Sequence, residues 1–171
     1  MASGTLYIIM RNDLPSMNQG KAMAQASHAS SMLVNMLENG DGWFDNNTSE
    51  AIQHWLNEGK GFGTTIVMET SHIYNIKECI KELENQNLVF ASGMVKDETY
   101  PFLMQKELWR LLHPKVQSEL GIRIEENAEM DKFGMIKATR PETTCGWVFI
   151  ENGHDEQVKK IFETNEIKLA R

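Results

Sequence analysis

The sequence predicts an α/β protein with a three-layer α/β/α arrangement, in which helices cover both faces of a four-stranded mixed sheet. Short apolar, β-branched runs alternate with segments of helical periodicity, which favours a parallel core with right-handed crossovers. The last predicted strand follows the third without a crossover helix aligned to the sheet, so we expect it to run antiparallel. The chain has 171 residues, enough for one domain with a core of its own.

The first half of the chain contains two predicted strands and three predicted helices. In order, these are a strand at residues 5–11, a helix at 20–38 that ends at the 39–42 turn, a helix at 48–56 closed by Gly59, a strand at 64–69 and a helix at 73–85. Ser71 is placed to cap the last of these helices. Residues 59–63 precede a strand, so their glycines indicate a turn and not a phosphate-binding loop.

The second half contains the remaining core elements and a long insertion. A third strand is predicted at residues 88–95, a fourth at 143–150 and a closing helix at 155–163. Residues 101–140 form an insertion before the last strand, with a helix at 101–113 stopped by Pro114 and a hairpin arm that pairs 121–125 with 134–139. We therefore expect a single domain, residues 1–171, that carries the insertion 101–140.

Composition narrows the class of protein. The chain is 41% hydrophobic and 24% charged, as is usual for a soluble globular protein. Cys79 and Cys145 are far apart and have no metal-type spacing, which is typical of reduced thiols in a cytosolic protein. No N-terminal signal pattern and no run of about 20 apolar residues is found. We expect a cytoplasmic protein with no membrane partner.

The charge distribution allows a local basic surface on an acidic chain. The formal net charge of −7 argues against nucleic acid as a general partner. However, residues 38–58 hold five acidic residues and no lysine or arginine, so much of the excess negative charge lies in this segment. Residues 132–140 carry Lys132, Lys137 and Arg140. A basic patch for RNA is therefore compatible with the overall acidity.

One stretch joins the first strand to the first helix and concentrates polar residues. Residues 11–29 read R-N-D-L-P-S-M-N-Q-G-K-A-M-A-Q-A-S-H-A. At about 100° per residue, Lys21, Gln25 and His28 fall in one narrow arc of the helix, beside an arc of alanines. We predict that the alanine face packs on the sheet and that a cation, an amide and an imidazole form a polar stripe next to it.

Lys21 stands where a cation is locally unfavourable. A positive charge in the first turn of a helix opposes the helix dipole at a cost of about 0.3–1 kcal/mol. The same helix start presents backbone N–H groups that suit a phosphate. Locally unfavourable choices are expected at functional sites, although a solvated lysine beside a packing helix is an equally simple interpretation of this residue.

This stretch resembles the signature of the archaeal/eukaryotic-type, or type II, peptidyl-tRNA hydrolases, R-x-D-L-x-M-x-x-G-K-x-x-A-Q-x-S-H-A. The resemblance is strong over residues 5–38, extends by element order to 64–97 and 143–165, and is absent from 101–140. It implies a single α/β domain with a four-stranded mixed sheet. It also implies hydrolysis of the ester that joins a peptide to tRNA, without a cofactor.

The resemblance implies a set of site residues. Those carried over as catalytic are Lys21, His28, Asp97 and Thr143, and those carried over as substrate-binding are Gln25, Ser27 and Thr99. Thr143 begins the T-x-x-G pattern, whereas Thr99 follows Asp97 at a spacing that differs from the family pattern. A second lysine of the family's first helix is Asn35 here.

The chemistry of such a site leaves the general base open. An imidazole is the usual base near neutral pH and a carboxylate beside a lysine is the alternative, so His28 and Asp97 are both candidates. Ser27 and His28 point about 100° apart, which disfavours a covalent pair. Cys145 is expected to be a buried strand residue. The histidines have no metal-ligand spacing, so we expect no metal.

The insertion, residues 101–140, begins and ends next to predicted site positions. This placement suits a lid or a substrate-selecting arm with Arg110, Lys137 and Arg140 as contacts for peptidyl-tRNA. A stabilising decoration or a dimer contact is the alternative, and a homodimer is compatible with the sequence. Two other functions remain open: a catalytically impaired protein that binds tRNA or another protein, and a hydrolase of a different acylated RNA.

Overall fold

A computed structural model of the chain describes residues 2–38, 45–58, 63–124 and 128–170. The chain forms two compact units. The first comprises Met1–Val95 and Thr144–Arg171, and the second comprises Lys96–Thr143. The predicted insertion, residues 101–140, falls inside the second unit. The predicted turn at 39–42 lies outside the described residues, as do residues 59–62 of the predicted turn at 59–63 and the end of the predicted hairpin arm at Glu125.

Helices and strands alternate through most of the chain. In order they are β1 (Gly4–Arg11), α1 (Gln19–Glu38), α2 (Asn46–Asn57), β2 (Thr65–Thr70), α3 (Ile73–Asn85), β3 (Val89–Gln105), α4 (Lys106–Leu111), α5 (Pro114–Glu119), β4 (Arg123–Ile124), β5 (Met135–Glu151), α6 (Asp155–Thr164) and β6 (Lys168–Leu169). None of the described helices is long and apolar enough to cross a membrane.

The sheet is mixed, as predicted. Its strand order is β3-β5-β1-β2-β6, with β4 paired to β5. Strand β1 runs parallel to β2 and antiparallel to β5, which confirms the predicted direction of the last core strand. Within the described ranges the sheet has six strands and not four. The two additional strands have two residues each: β4 lies in the predicted hairpin arm, and β6 is too short for a periodic pattern to reveal.

The first unit has three layers because the side chains of β1 alternate between two cores. Leu6, Ile8 and Met10 pack with the buried faces of α1 and α2. Ile9, on the opposite face, packs with the buried residues of α3 and α6. Strand β5 alternates in the same way, and its Trp147 and Val148 belong to different cores. The α/β/α prediction is therefore confirmed for this unit.

The second unit has a small core of its own. Met104, Ile136 and Ala138 are buried in it, and half-buried aromatic and aliphatic side chains pack against them. Strands β4 and β5 pair antiparallel through Arg123↔Thr139 and Ile124↔Ala138, which confirms the predicted hairpin arm over its described part. Helix α5 begins at Pro114, and His113 accepts a hydrogen bond from the Lys115 amide at 3.2 Å.

The predicted helix at residues 101–113 is wrong over its first half. Strand β3 continues to Gln105, and helix appears only from Lys106 to Leu111. Tyr100 and Met104 are buried, whereas Leu103 and Gln105 are exposed, which is a strand pattern of period two. Leu111, near the end of this predicted helix, is 82% exposed. Residues 101–105 instead extend β3, which neighbours β5 in the sheet.

Two further boundaries differ from prediction. The fourth strand begins at Met135 and not at residue 143, because the predicted hairpin strand and the predicted core strand form one continuous element. Helix α3 covers the predicted residues, but its N-cap is His72 and not Ser71, and no side chain caps it by a hydrogen bond. The helix is instead held by Ile76, Cys79 and Leu83, which are fully buried.

Candidate active site

An asparagine, Asn18, caps the N-terminus of α1. The Asn18 side chain accepts a hydrogen bond from the Lys21 backbone N–H at 3.0 Å, and the Asn18 carbonyl accepts one from Ala22 at 2.9 Å. Asn18 is therefore the N-cap, and Lys21 is the third helical residue. Lys21 is half-buried, and no acidic residue lies in this turn. The predicted placement of a cation in the first turn is confirmed.

Gln25 lies one helical turn after Lys21 and is only 5% exposed. Its side-chain oxygen accepts a hydrogen bond of 2.8 Å from the hydroxyl of Thr144, which is fully buried on β5. The same hydroxyl is 3.3 Å from the Val95 carbonyl of β3. Buried amides need such partners, because an unpaired one costs about 1–3 kcal/mol. The bond therefore holds the Gln25 amide in one orientation.

The predicted polar stripe of α1 is divided between two environments. Gln25 shares the buried face of the helix with Ala29 and Leu33. Ser27 and His28 are exposed on the helix surface. The predicted stripe therefore runs along α1 from the buried Gln25 to the exposed His28, and its functional role remains a prediction.

Thr144 is the residue that the sequence interpretation missed. The T-x-x-G pattern directed attention to Thr143, whereas the neighbouring threonine contacts Gln25. The signal was the threonine pair itself, since either member of Thr143-Thr144 could face the helix. Thr143 belongs to the second unit and is half-buried. Its catalytic role remains a prediction.

An ion pair joins the last residue of β1 to the beginning of the loop that leads to α1. Arg11 donates two hydrogen bonds to Asp13, at 2.9 and 2.7 Å, in the fork geometry that makes such pairs strong. Arg11 is only 8% exposed. Burial raises the pKa of Asp13, but the hydrogen bonds and charge of Arg11 outweigh it, so that the pKa is lowered overall. The R-x-D spacing of the motif thus places an ion pair at the start of this loop.

The Arg11–Asp13 ion pair predicts that the stability of the fold depends on pH. Since the folded-state pKa of Asp13 is lowered, the ionised carboxyl stabilises the fold above its ordinary pKa, and this contribution is lost as the pH falls through the lowered value. We expect Asp13→Asn to be less stable than the parent at pH 7, with a difference that shrinks below about pH 4. Urea unfolding from pH 2.5 to 7 measures it. Glu50 has an exposed carboxyl on α2, so Glu50→Gln controls for the loss of one negative charge. If the stability difference between Asp13→Asn and the parent stayed constant across this pH range, the assignment of the Arg11–Asp13 ion pair would be wrong.

The thiol beside the site is not a nucleophile. Cys145 is fully buried, and its sulfur lies 3.9 Å from the Gln25 carbonyl oxygen. Burial raises the pKa of Cys145 to about 12, so the thiol stays protonated near neutral pH. Because the thiolate is the reactive form, this cysteine acts as a small packing residue, in agreement with the sequence interpretation.

The remaining predicted site residues belong to the second unit. Asp97 accepts hydrogen bonds from the Thr99 amide at 2.9 Å and from its hydroxyl at 3.3 Å, so the two side chains interact locally within β3. Arg110 and Lys137 are exposed. Arg140 pairs with Glu142 at 2.9 Å, which gives its charge a partner inside the unit. The functional roles of all these residues remain predictions.

The first unit is an α/β fold in which α1 and β5 bring Gln25 and Thr144 into hydrogen-bond contact near the carboxyl end of the central strand β1, with Lys21 one turn earlier on α1. The family described as peptidyl-tRNA hydrolase PTH2 matches residues 5–100, more than half of the chain. The chain belongs to this hydrolase family, whose substrate is peptidyl-tRNA, and the predicted resemblance is confirmed. No curated protein matches the chain in a sequence search.

Proposed function

We propose that this chain hydrolyses the ester bond between peptide and tRNA in peptidyl-tRNA and so releases free tRNA. Family membership supports this function. The structural observation that supports this function is the 2.8 Å hydrogen bond from Thr144 to Gln25. It orients a buried amide one helical turn from Lys21. Amide and ammonium groups held in position are what a hydrolytic site needs to orient water and to stabilise negative charge.

The reaction requires no covalent intermediate. The oxygen of a water molecule attacks the ester carbonyl carbon and gives up a proton to a general base. The carbon–oxygen bond to the ribose then breaks, and the ribose oxygen leaves with a proton. In this scheme Lys21 stabilises the tetrahedral oxyanion or binds the terminal phosphate, and Gln25 orients the water or the ester. His28 and Asp97 are the two proposed bases, and Thr143 is proposed to hydrogen-bond the substrate.

The other contacts with substrate follow from exposure and charge. We assign RNA contacts to Ser27, Thr99, Arg110 and Lys137, which are all exposed. Arg140 is a weaker candidate than these four, because Glu142 and the Phe102 ring already contact its guanidinium.

The cytoplasmic location and the homodimer remain predictions.

The function is tested with purified protein and peptidyl-tRNA. We expect free tRNA to appear faster than in buffer alone, with no added metal or cofactor. A parallel reaction with aminoacyl-tRNA tests the alternative of a different acylated RNA. Binding of peptidyl-tRNA without release would identify an impaired, tRNA-binding member of the family. Asn35, which stands on the exposed face of α1 where the family pattern has a lysine, motivates that comparison.

A further inference from the structure

A tight turn precedes β5 in the second unit, and Asp131 holds it closed. The Asp131 carboxylate accepts hydrogen bonds from the amides of Phe133 at 2.8 Å and Met135 at 2.9 Å. The Asp131 amide donates to the Met135 carbonyl at 2.9 Å, and Gly134 takes a φ of +77°, which favours glycine. We call residues 131–135 the Asp131 turn. These bonds make it a preorganised support for the side chains that it displays.

The Asp131 turn displays an aromatic ring and a cation together. Phe133 is 72% exposed, although a phenylalanine ring gains most from burial. The Lys132 ammonium lies 5.0 Å from the centre of this ring. An exposed ring on a hydrogen-bonded turn, with a lysine over one of its faces, suits an unpaired nucleotide, because a base stacks on the ring and the lysine contacts the phosphate.

A groove of about 530 Å³ lies beside the turn in the same unit. Leu103, Met130 and Met135 supply apolar walls. Lys137 supplies a second cation, and Glu129 and Asp131 supply carboxylates. Asp131 is already engaged by two backbone amides, so its charge is partly compensated. The groove therefore adds an apolar surface and a second cation, Lys137, beside the turn that carries the ring.

We propose that the Asp131 turn binds an unpaired nucleotide of RNA, with its base stacked on Phe133 and its phosphate held by Lys132 and Lys137. The identity of the RNA rests on the proposed function: the single-stranded 3′ end of tRNA is the partner. The cation beside the ring favours RNA over an apolar peptide, which would gain nothing from two lysines at the contact. The turn belongs to the stretch after residue 100, beyond the match to the hydrolase family.

The test is the affinity of the 171-residue protein for a fluorescently labelled single-stranded RNA with the sequence of a tRNA 3′ end, measured by anisotropy. We expect Phe133→Ala to weaken binding about tenfold, as for the loss of one stacked base. Phe133→Trp should retain binding, and Lys132→Gln should flatten the salt dependence. Leu111→Ala, which removes another exposed apolar side chain of this unit, should leave the affinity unchanged.

The outcomes separate this inference from the proposed function. If Phe133→Ala binds the RNA within twofold of the parent protein, or if the parent protein does not bind it, the inference is wrong whether or not peptidyl-tRNA is hydrolysed. If Phe133→Ala weakens binding but the parent protein does not hydrolyse peptidyl-tRNA, the RNA contact stands and the proposed function fails. If Phe133→Ala leaves RNA binding unchanged but abolishes binding to an apolar peptide that the parent protein binds, the inference is wrong and the turn is reassigned to a protein partner.

Discussion

Replacing Lys21 with alanine lowers the turnover of peptidyl-tRNA by at least about 100-fold, because the site loses the cation that stabilises the oxyanion. The melting temperature is expected to stay nearly unchanged. Lys21 is half-buried at the third position of α1, where its charge opposes the helix dipole, so its removal costs the fold little. Steady-state kinetics and thermal unfolding of the same preparation measure the two effects.

Two variants control this experiment. Lys77→Ala removes an exposed lysine from α3 and should leave turnover unchanged. Lys21→Arg keeps the charge but changes its geometry, and it should restore part of the rate if charge is the main contribution. A Lys21→Ala protein with near-normal kinetics would remove Lys21 from the site, whatever its stability.

Replacing Thr144 with valine lowers turnover about 10- to 100-fold while the Michaelis constant changes little. The two side chains have nearly the same shape, so the main change is loss of the hydroxyl that holds the Gln25 amide at 2.8 Å. An amide that can rotate no longer presents one group to the water or the ester, which affects the transition state more than substrate binding. Separate values of kcat and KM are the measurement that checks this.

A loss of stability could also lower turnover, because Thr144→Val removes a hydrogen-bond donor from the buried Gln25 oxygen. This loss costs about 1–3 kcal/mol of the free energy of unfolding. Thr48→Val, at a buried threonine of α2, is the matched control and should lose stability without loss of turnover. Thr144→Ser keeps the hydroxyl and should recover most of the rate. Wild-type turnover in Thr144→Val would show that the Gln25–Thr144 bond is only structural.

The position of Lys21 was accessible from sequence because it depends on neighbours along the chain. Asn18 caps the helix three residues before Lys21, and the buried strand β1 ends shortly before that. The position of Gln25 depends on a residue 119 places away. Helical periodicity placed Gln25 correctly along α1, but it could not show which of two adjacent threonines would reach the helix.

The same contrast explains which elements periodicity predicted correctly. Periodicity predicted α3 at its observed bounds, since a single apolar face decides that helix. Residues 101–105 contain apolar side chains that satisfy a helical and an alternating pattern equally well. Their extension of β3 was decided by sheet pairing and by the burial of Tyr100 and Met104, which a local pattern does not contain.

The sequence by itself determined the α/β class, the order of the core elements, the family motif and the cation at the start of α1. Each of these depends on interactions between residues a few positions apart. Only the tertiary structure decided that Gln25 is buried against Thr144, that β3 and β5 extend into a second unit, and that Phe133 is displayed on a closed turn. The physical reason is that burial and sheet pairing join residues distant in sequence, and where they compete with a local preference they supply the larger free energy.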